Sequence, residues 1–446
     1  LPVLAGTVLV ALLQARKAFY YDSGVYWSLN QSFIKGGHFS LLNFNSPLRG
    51  YLLPLINRGL HEIAVALEWR GSTVVKLFNA LMFSLIAAVL APRLAELAWP
   101  AQRWCIPRRI ALAALLLLFW SGFLAFPLSD FPALTMAMLA LVSTYRYDAP
   151  GWMILGGLAC GAAIDMRPSY LLLAPILLVL IAWRWTEGHR EEHASLPRRS
   201  LCVGIFIAGL LVVSLPQSLS SHRHHHTWSF IPGAADHLTS AQLSDGLFLQ
   251  RYDTYVGPGH PPQMNYLDEA GYLLLIKQKN HLVSSASQYL GLLFSHPGTV
   301  LDSLGYHIVN GLDQRYTTPY IERVDTGGHR WLRLAGFLLV FLALVRVLWP
   351  AARRRLGPAR WRYPVALMLC CLTSVPSAVE TRYMLPVYVL GYILVLAPGW
   401  PNPLGPAAEG IRRYRVLALL GVGYLLFMAL VWHIASDASK HLIFGA

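Results

Sequence analysis

The residues of this chain best suited to chemistry are acids and arginines standing at the ends of apolar runs. Asp22 heads the stretch 20–54, YYDSGVYWSLNQSFIKGGHFSLLNFNSPLRGYLLP, a few residues after an apolar opening segment. A carboxylate that close to hydrocarbon is costly unless it is solvated, paired or used. Asp130 opens DFPALTMAMLALVSTY, Asp165 and Arg167 close GGLACGAAIDMRPSY, and Glu380 and Arg382 stand two apart in SVPSAVETRYMLPVYVLGYILV. Plainer roles compete with chemistry at each place. Asp130 suits a helix N-terminus, where an acid accepts orphan amides and complements the dipole. Arg167 could snorkel to lipid, and Glu380 could simply pair with Arg382. Equally, a planar guanidinium is well matched to a phosphate.

These residues need elements to hold them, and composition says which kind. Hydrophobic residues make up 55% of the 446 and charged ones 13%, about half the charged share of an average soluble protein. Mean hydropathy is +0.47. The composition is that of an all-α polytopic membrane protein. Apolar runs fall near 1–14, 75–91, 110–126, 130–145, 151–165, 168–185, 201–216, 331–349, 363–378, 383–398 and 414–433, about eleven spans. Small residues at 156–163 suit close helix packing. Pro168 would start a helix just after Arg167. Three parts follow: an N-terminal module at 1–216 that includes the first outer loop at 15–74, a large loop or cap at 217–330, and a C-terminal module at 331–446.

A net charge of +14 does not point to nucleic acid, because the arginines concentrate in loops between spans. One set of alternate loops holds Arg93, Arg103, Arg108, Arg109, Arg146, Arg184, Arg190, Arg198, Arg199, Arg353, Arg354, Arg355, Arg360, Arg362, Arg412, Arg413 and Arg415. The opposite short loops hold little beyond Arg167, Arg382 and Lys440. The positive-inside rule makes the first set cytoplasmic. Asp22, Asp130, Asp165, Arg167, Glu380 and Arg382 then share the outer face, which suggests a polar cavity there.

In the cap, 272–293 and 300–312 have helical apolar spacing, with polar residues on the other face, and could lie on the membrane. The segment 256–263, VGPGHPPQ, cannot be helical and reads as a turn-rich loop carrying His260. His222, His224, His225 and His226 are adjacent loop residues without supporting acids, better read as a solvated surface than as a metal site. The five cysteines show neither metal spacing nor a disulfide framework.

The order of these features resembles the GT-C superfamily of membrane glycosyltransferases. An outer-loop Asp22 comes first, then Tyr26 and a Ser46-Pro47-Leu48 ahead of an amphipathic helix. Ser129-Asp130 opens a span, Gly156-Gly157…Met166-Arg167-Pro168 closes another, and Glu380…Arg382-Tyr383…Leu385-Pro386 follows late. The branch most resembled contains protein O-mannosyltransferases and the lipid A aminoarabinose transferase. The resemblance implies a GT-C-like helix bundle with extracytoplasmic amphipathic helices and an outer cap. It also implies sugar transfer from a polyprenyl-phosphate carrier on the outer face. The family's first-loop acid matches Asp22, its second acid Asp130, and its basic residue before a Pro-started helix Arg167. Two departures stand out: Ser23 occupies a position where many members have a second acid, and an Arg stands where a Lys is usual near the later span.

The expectation is therefore an inverting transferase with Asp22 as general base and Asp130 as the second catalytic acid. Arg167 and Arg382 would stabilise the departing phosphate. Tyr26, Arg49, Glu380, Tyr383 and His260 would complete the substrate contacts. Expected partners are the lipid-linked donor, an acceptor glycan, glycolipid or protein, and membrane lipids, with no nucleic acid. No metal or other cofactor is expected, since fixed arginines can neutralise a monophosphate leaving group. High Arg and low Lys point to a bacterial inner membrane with the site on the periplasmic side. The competing classes are a polysaccharide polymerase or O-antigen ligase, which would use Arg251 and His260, and a lipid or sugar transporter, which would place its charges near the midplane.

Overall fold

The computed structural model describes residues 1–15, 18–99, 103–145, 149–187, 196–231, 238–278, 281–324, 329–348, 362–397 and 410–445. Arg146, Arg190, Arg353, Arg354, Arg355 and Arg360, part of the charge-bias argument, lie outside the described residues. Helices stand at all the places where spans are expected, but fewer are long enough to cross. Among the described residues five qualify by length and composition: Gly71–Ala98, Ile106–Ala125, Ser200–His225, Arg330–Leu348 and Ala418–Ala435. The rest are shorter for local reasons. Pro150–Met166 stops because Pro168 excludes α geometry from Arg167, whose φ of −153° and ψ of 103° are extended. Arg362–Leu369 gives way to a tight turn at Cys370–Thr373 ahead of Pro376.

The chain divides into two compact units. The first comprises Leu1–Leu97, Trp104–Ala241 and Trp361–Thr373, and the helix Leu196–His225 runs within it across position 216. In the long helix Gly71–Ala98, Pro92 cannot donate to the carbonyl of Ala88, and the helix widens into a π turn at Ile86–Leu90. That carbonyl accepts from Arg109 Nη1 at 2.7 Å instead. Pro150–Met166 and Leu196–His225 meet backbone to backbone. A Cβ on Gly157 would sit 2.0 Å from the Phe206 carbonyl oxygen, and one on Gly209 would sit 2.4 Å from that of Ile154. The small residues foreseen as a packing surface do that here.

Asp130 begins a helix of 16 residues that reaches Tyr145, about 24 Å away. Arg167 joins Asp130 at the first end. Tyr145 meets Tyr363 at the other, and Gly156, near the start of its own helix, packs on Thr144 there. Asp130 and Arg167 therefore do share one end of the bundle.

The second unit comprises Ala98–Arg103, Gln242–Arg360 and Ser374–Ala446. It contains a sheet, so the all-α expectation needs correction. In chain order the strands are β1 (Ile34–Lys35) and β2 (His38–Phe39), a hairpin of the first unit, then β3 (Leu249–Tyr255), β4 (Gln263–Leu267), β5 (Tyr320–Ile321) and β6 (Leu442–Gly445). The last four form one sheet in the order β5-β3-β4-β6, with only β3 and β5 parallel. The turn-rich segment at 256–263 is the hairpin connection from β3 to β4. Helices Glu269–Ile276, Ala286–Ser295 and Pro297–Gly311 pack around Leu247, Leu274, Val283, Tyr289, Leu292 and Val300.

Candidate active site

In the first outer loop a short helix, Tyr21–Ser28, carries Asp22 in its first turn. Ser23 Oγ accepts from the Tyr20 amide at 2.9 Å and donates to the Tyr20 carbonyl at 2.6 Å, closing the turn from a fully buried position. A second acid at that position would lose this reciprocal pair. The chain then reverses at Gly36 and Gly37, both at positive φ, the geometry a two-residue hairpin turn demands. Phe33, Phe44 and Tyr51 form a small core beneath it. Ser220 Oγ donates to the Phe44 carbonyl at 2.5 Å, fixing the loop to the helix Leu196–His225.

So anchored, the loop returns Arg49 to Asp22. Arg49 Nη2 donates to Asp22 Oδ1 at 2.5 Å, and its guanidinium lies 5.0 Å from the centre of the Tyr26 ring. Both side chains of the pair keep about 30% exposure (29% and 30%). The neighbouring Gly50 is pressed against Asp165: a Cβ there would come within 2.1 Å of the Asp165 carbonyl oxygen. Asp165 Oδ1 accepts the Leu52 amide at 2.9 Å, capping Leu52–Ala66 from another helix. Tyr51 is held as well, its amide donating to Gln217 Oε1 and its hydroxyl to the Val213 carbonyl. Burial, and secondarily the Asp165 carboxylate, push the Tyr51 phenol well above its ordinary range.

The second ion pair begins two residues beyond Asp165. Arg167 Nη1 bonds Asp130 Oδ1, with Asp130 buried and Arg167 nearly so. Asp130 Oδ2 has no hydrogen-bond partner among the described residues, so the carboxylate binds Arg167 rather than capping its own helix. The two pairs are neighbours. Arg49 adjoins Gly50, Gly50 rests on Asp165, and Phe126, four residues before Asp130, lies 6.4 Å from the Tyr20 ring.

The second unit holds the later candidates. Arg382 Nη2 donates to Glu380 Oε1 at 2.7 Å, with Nε 2.7 Å from Oε2, and the guanidinium lies 5.7 Å from the Tyr383 ring centre. The Tyr383 hydroxyl is 2.9 Å from that of Tyr252, a residue sequence reasoning passed over. Burial first, then the Glu380 carboxylate, raise the Tyr252 phenol well above its usual range and keep it a donor. His260 is not brought to this group. It is exposed on the hairpin loop, stacked 4.0 Å from Phe444. Arg251 is fully buried, bidentate to Asp253 and donating to the carbonyls of Asn310 and Asp313.

The histidine run is structural where it is engaged. His222 stacks on Trp228 at 4.2 Å, and the Nε2 of His224 lies 3.0 Å from the Leu42 carbonyl. Among the described residues no three His, Cys, Asp or Glu side chains group in a way that could hold a metal ion. The five cysteines are free thiols. Chemically, the first unit offers a part-exposed carboxylate in contact with a guanidinium, and a second, buried Asp–Arg pair. Such a set can accept a proton and hold an anion.

No protein-family model matches the sequence, and no curated protein does. Solved structures with a similar course of the chain include the apo oligosaccharyltransferase of Archaeoglobus fulgidus, at 13% identity and a TM-score of 0.48, over 99% of this chain and 54% of that one. The AglB oligosaccharyltransferase of the same organism, in complex with an inhibitory peptide and a dolichol-phosphate, gives 12%, 0.47, 98% and 55%. ArnT from Cupriavidus metallidurans, bound to undecaprenyl phosphate, gives 15%, 0.40, 89% and 76%. The chain spans about half the length of the archaeal enzymes it matches. Likeness this loose carries no residue correspondences.

Proposed function

We propose that this chain is an inverting glycosyltransferase that moves a sugar from a polyprenyl-phosphate carrier to an acceptor hydroxyl on the extracytoplasmic face of a bacterial inner membrane. The observation that carries the reading is the pairing in the first unit: Asp22 with Arg49 part exposed, Asp130 with Arg167 buried, and Asp165 packed on Gly50, next to Arg49 in the chain. Asp22 takes the acceptor proton as the hydroxyl attacks the anomeric carbon, help worth about two to four orders of magnitude. Arg49, its guanidinium over the Tyr26 ring, orients Asp22. Arg167 neutralises the charge that grows on the departing phosphate, and Asp130 fixes the guanidinium for that purpose. In the second unit, Glu380, Arg382 and Tyr383 form a polar group of their own with the chemistry to contact phosphate or sugar, while His260 stays on the hairpin loop against Phe444.

Two observations weigh against the alternatives. A polymerase or ligase reading needs Arg251 accessible, and Arg251 is sealed between Asp253 and two carbonyls. A transporter reading needs charges midway along broken helices, whereas Asp130 and Arg167 stand at helix ends.

The test is turnover of a synthetic polyprenyl-phosphate sugar by the purified protein. Asp22→Asn is expected to abolish transfer while carrier binding survives. Unchanged transfer by that variant would remove the mechanism. Activity is expected to persist through exhaustive chelation; loss restored by manganese or magnesium would recast Asp22 and Asp130 as metal ligands. Reporter fusions at Arg190 and Gly259 are expected on opposite sides, Gly259 outside.

A further inference from the structure

The turn that leads into Asp22 is strained. Tyr21, the residue before it and the first of the helix Tyr21–Ser28, has a φ of +37°. That is the left-handed region, which Gly, Asn and Asp enter readily and an aromatic residue rarely does. Tyr20 ahead of it is extended, at φ −105° and ψ 151°. A helix normally passes from such an extended residue straight into ordinary helical angles, so the entry by itself does not call for a left-handed step. Strain of this kind lasts only where the surroundings over-determine it, and it gathers at functional sites.

The surroundings here centre on one carbonyl. Ser23 Oγ donates to the Tyr20 carbonyl at 2.6 Å while accepting from the Tyr20 amide at 2.9 Å, and the Gly24 amide donates to the same carbonyl at 3.1 Å. Gly24 makes room for the incoming chain: a Cβ on it would lie 3.1 Å from the Phe19 carbonyl oxygen. The Phe19 ring packs 5.3 Å from that of Trp27 in the same helix. Relaxing Tyr21 to negative φ would rotate the Tyr20–Tyr21 peptide against the helix and swing the Tyr20 carbonyl away from Ser23 and Gly24. Ser23, fully buried, resists that rotation. Tyr21 is 48% exposed, so burial of its own ring adds little to the hold. Asp22 follows the bend directly, and its Oδ1 meets Arg49 Nη2. The bend thus sets where the carboxylate points.

We propose that Ser23 is a positioning residue for sugar transfer: it keeps Tyr21 left-handed and so directs the Asp22 carboxylate toward Arg49 and the acceptor hydroxyl. A hydroxyl supplies one atom that both donates and accepts, whereas alanine does neither and an ionised carboxylate only accepts. The inference rests on the reading of Asp22 as general base and adds the device that aims it.

The test is kcat and KM of the purified full-length protein with a synthetic polyprenyl-phosphate sugar. Ser23→Ala is expected to lower kcat about ten- to a hundredfold, the cost of a misplaced reacting group, with KM little changed. Adding Tyr21→Gly to Ser23→Ala is expected to restore most of that kcat, because glycine takes the left-handed conformation without strain and the Gly24 bond remains. Tyr21→Val alone is expected to fall well below Tyr21→Gly alone, since a branched residue tolerates positive φ worst; this pair tests the bend even where Ser23→Ala folds poorly. Ser28→Ala, which loses a serine-to-carbonyl bond at the exposed far end of the same helix, is the control and should keep wild-type kcat. Wild-type kcat in folded Ser23→Ala, whatever its yield, would overturn the proposal. So would a loss that Tyr21→Gly does not rescue, or equal rates for Tyr21→Gly and Tyr21→Val. Asp22→Asn separates this inference from the reading beneath it. Transfer lost in Asp22→Asn but kept in Ser23→Ala removes the positioning role alone, whereas full transfer by Asp22→Asn removes both.

Discussion

Asp22 and Asp313 are both aspartates held by arginine, and they differ in almost every property that matters. Asp22 meets one guanidinium, and both partners keep about 30% exposure (29% and 30%). Asp313 is wholly buried between Arg315 and Arg333. Burial alone would raise the Asp313 carboxyl; Arg315, Arg333 and Arg251 together overcome it and hold the group below its ordinary range. A half-exposed pair is worth little to stability and can exchange a partner for a ligand. A sealed cluster cannot open without leaving charges unpaired in a dry interior. The same residue types thus serve chemistry in one place and architecture in the other, and exposure decides which.

The sharpest way to break that comparison is to neutralise each acid. Asp22→Asn is expected to cut turnover by about two to four orders of magnitude while the protein elutes and melts as wild type. Asp313→Asn is expected to do the reverse, costing about 3–5 kcal/mol of stability, as breaking a buried pair does. Thermal unfolding and transfer assays on both variants check it. A stable Asp313→Asn protein, or an unstable Asp22→Asn one, would reverse the assignment.

Arg167 lies between these extremes, buried yet beside the exposed pair. Arg167→Ala is expected to lose about 2–4 kcal/mol of transition-state stabilisation, the usual cost of one electrostatic donor. Arg167→Lys should recover part of it, because charge remains while the fork geometry is lost. The loss should appear in kcat as well as KM, since charge on the phosphate grows as the sugar leaves. An arginine serving only the fold would lower the yield of folded protein and leave kcat unchanged.

Gly50 offers a milder perturbation. An added methyl would meet the Asp165 backbone at 2.1 Å, so Gly50→Ala must displace the loop that carries Arg49. A shift near 1 Å at the reacting groups costs up to about a hundredfold in rate. Gly59, in the following helix with nothing within 4 Å of an added Cβ, is the control. Gly59→Ala is expected to leave turnover intact. Equal rates for the two variants would show that the Gly50 contact does not position Arg49.

Much of this was readable in the chain, though not evenly. Asp22, Asp130 and Arg167 stood out because charge beside apolar runs is rare and costly. That Arg167 pairs with Asp130, 37 residues away, is a tertiary fact that no local pattern carries. Asp165 showed as a charge at a helix mouth; its capping of Leu52–Ala66 depends on a contact across 113 positions. The sheet escaped notice for a different reason. Strand β3 turns Arg251, Asp253 and Tyr255 inward, so its alternation has the opposite sign to the apolar-in pattern by which strands are recognised. Tyr252, on the same strand, was hidden with it. The short hairpin β1–β2 was better signalled, since Gly36-Gly37 is a turn that few other pairs can make.

The smallest expected effect concerns pH, and it tests whether the second unit is as fixed as its buried charges imply. His307 is fully buried, with Nδ1 2.5 Å from the Val375 carbonyl and Nε2 2.7 Å from that of Leu249. Burial lowers its affinity for a proton, and this outweighs the two carbonyls and the more distant Asp268, which act the other way. The folded protein therefore keeps the ring neutral at pH values where the unfolded chain, titrating near 6.5, has already bound a proton. Protons then favour unfolding. The stability that this histidine contributes is fully present above about pH 6.5 and is lost as pH falls toward the lowered folded value, at up to about 1.4 kcal/mol per pH unit. Asp313 has the same sign but acts only lower, its contribution fading as pH falls below the ordinary carboxylate range. Melting temperatures of the detergent-solubilised protein between pH 8 and pH 5 are therefore expected to drop, mostly below pH 6.5. His307→Gln, which can still donate to one carbonyl, should flatten that drop whatever it does to the absolute melting temperature. An unchanged slope in the variant would clear His307 and send the search to other histidines of the chain.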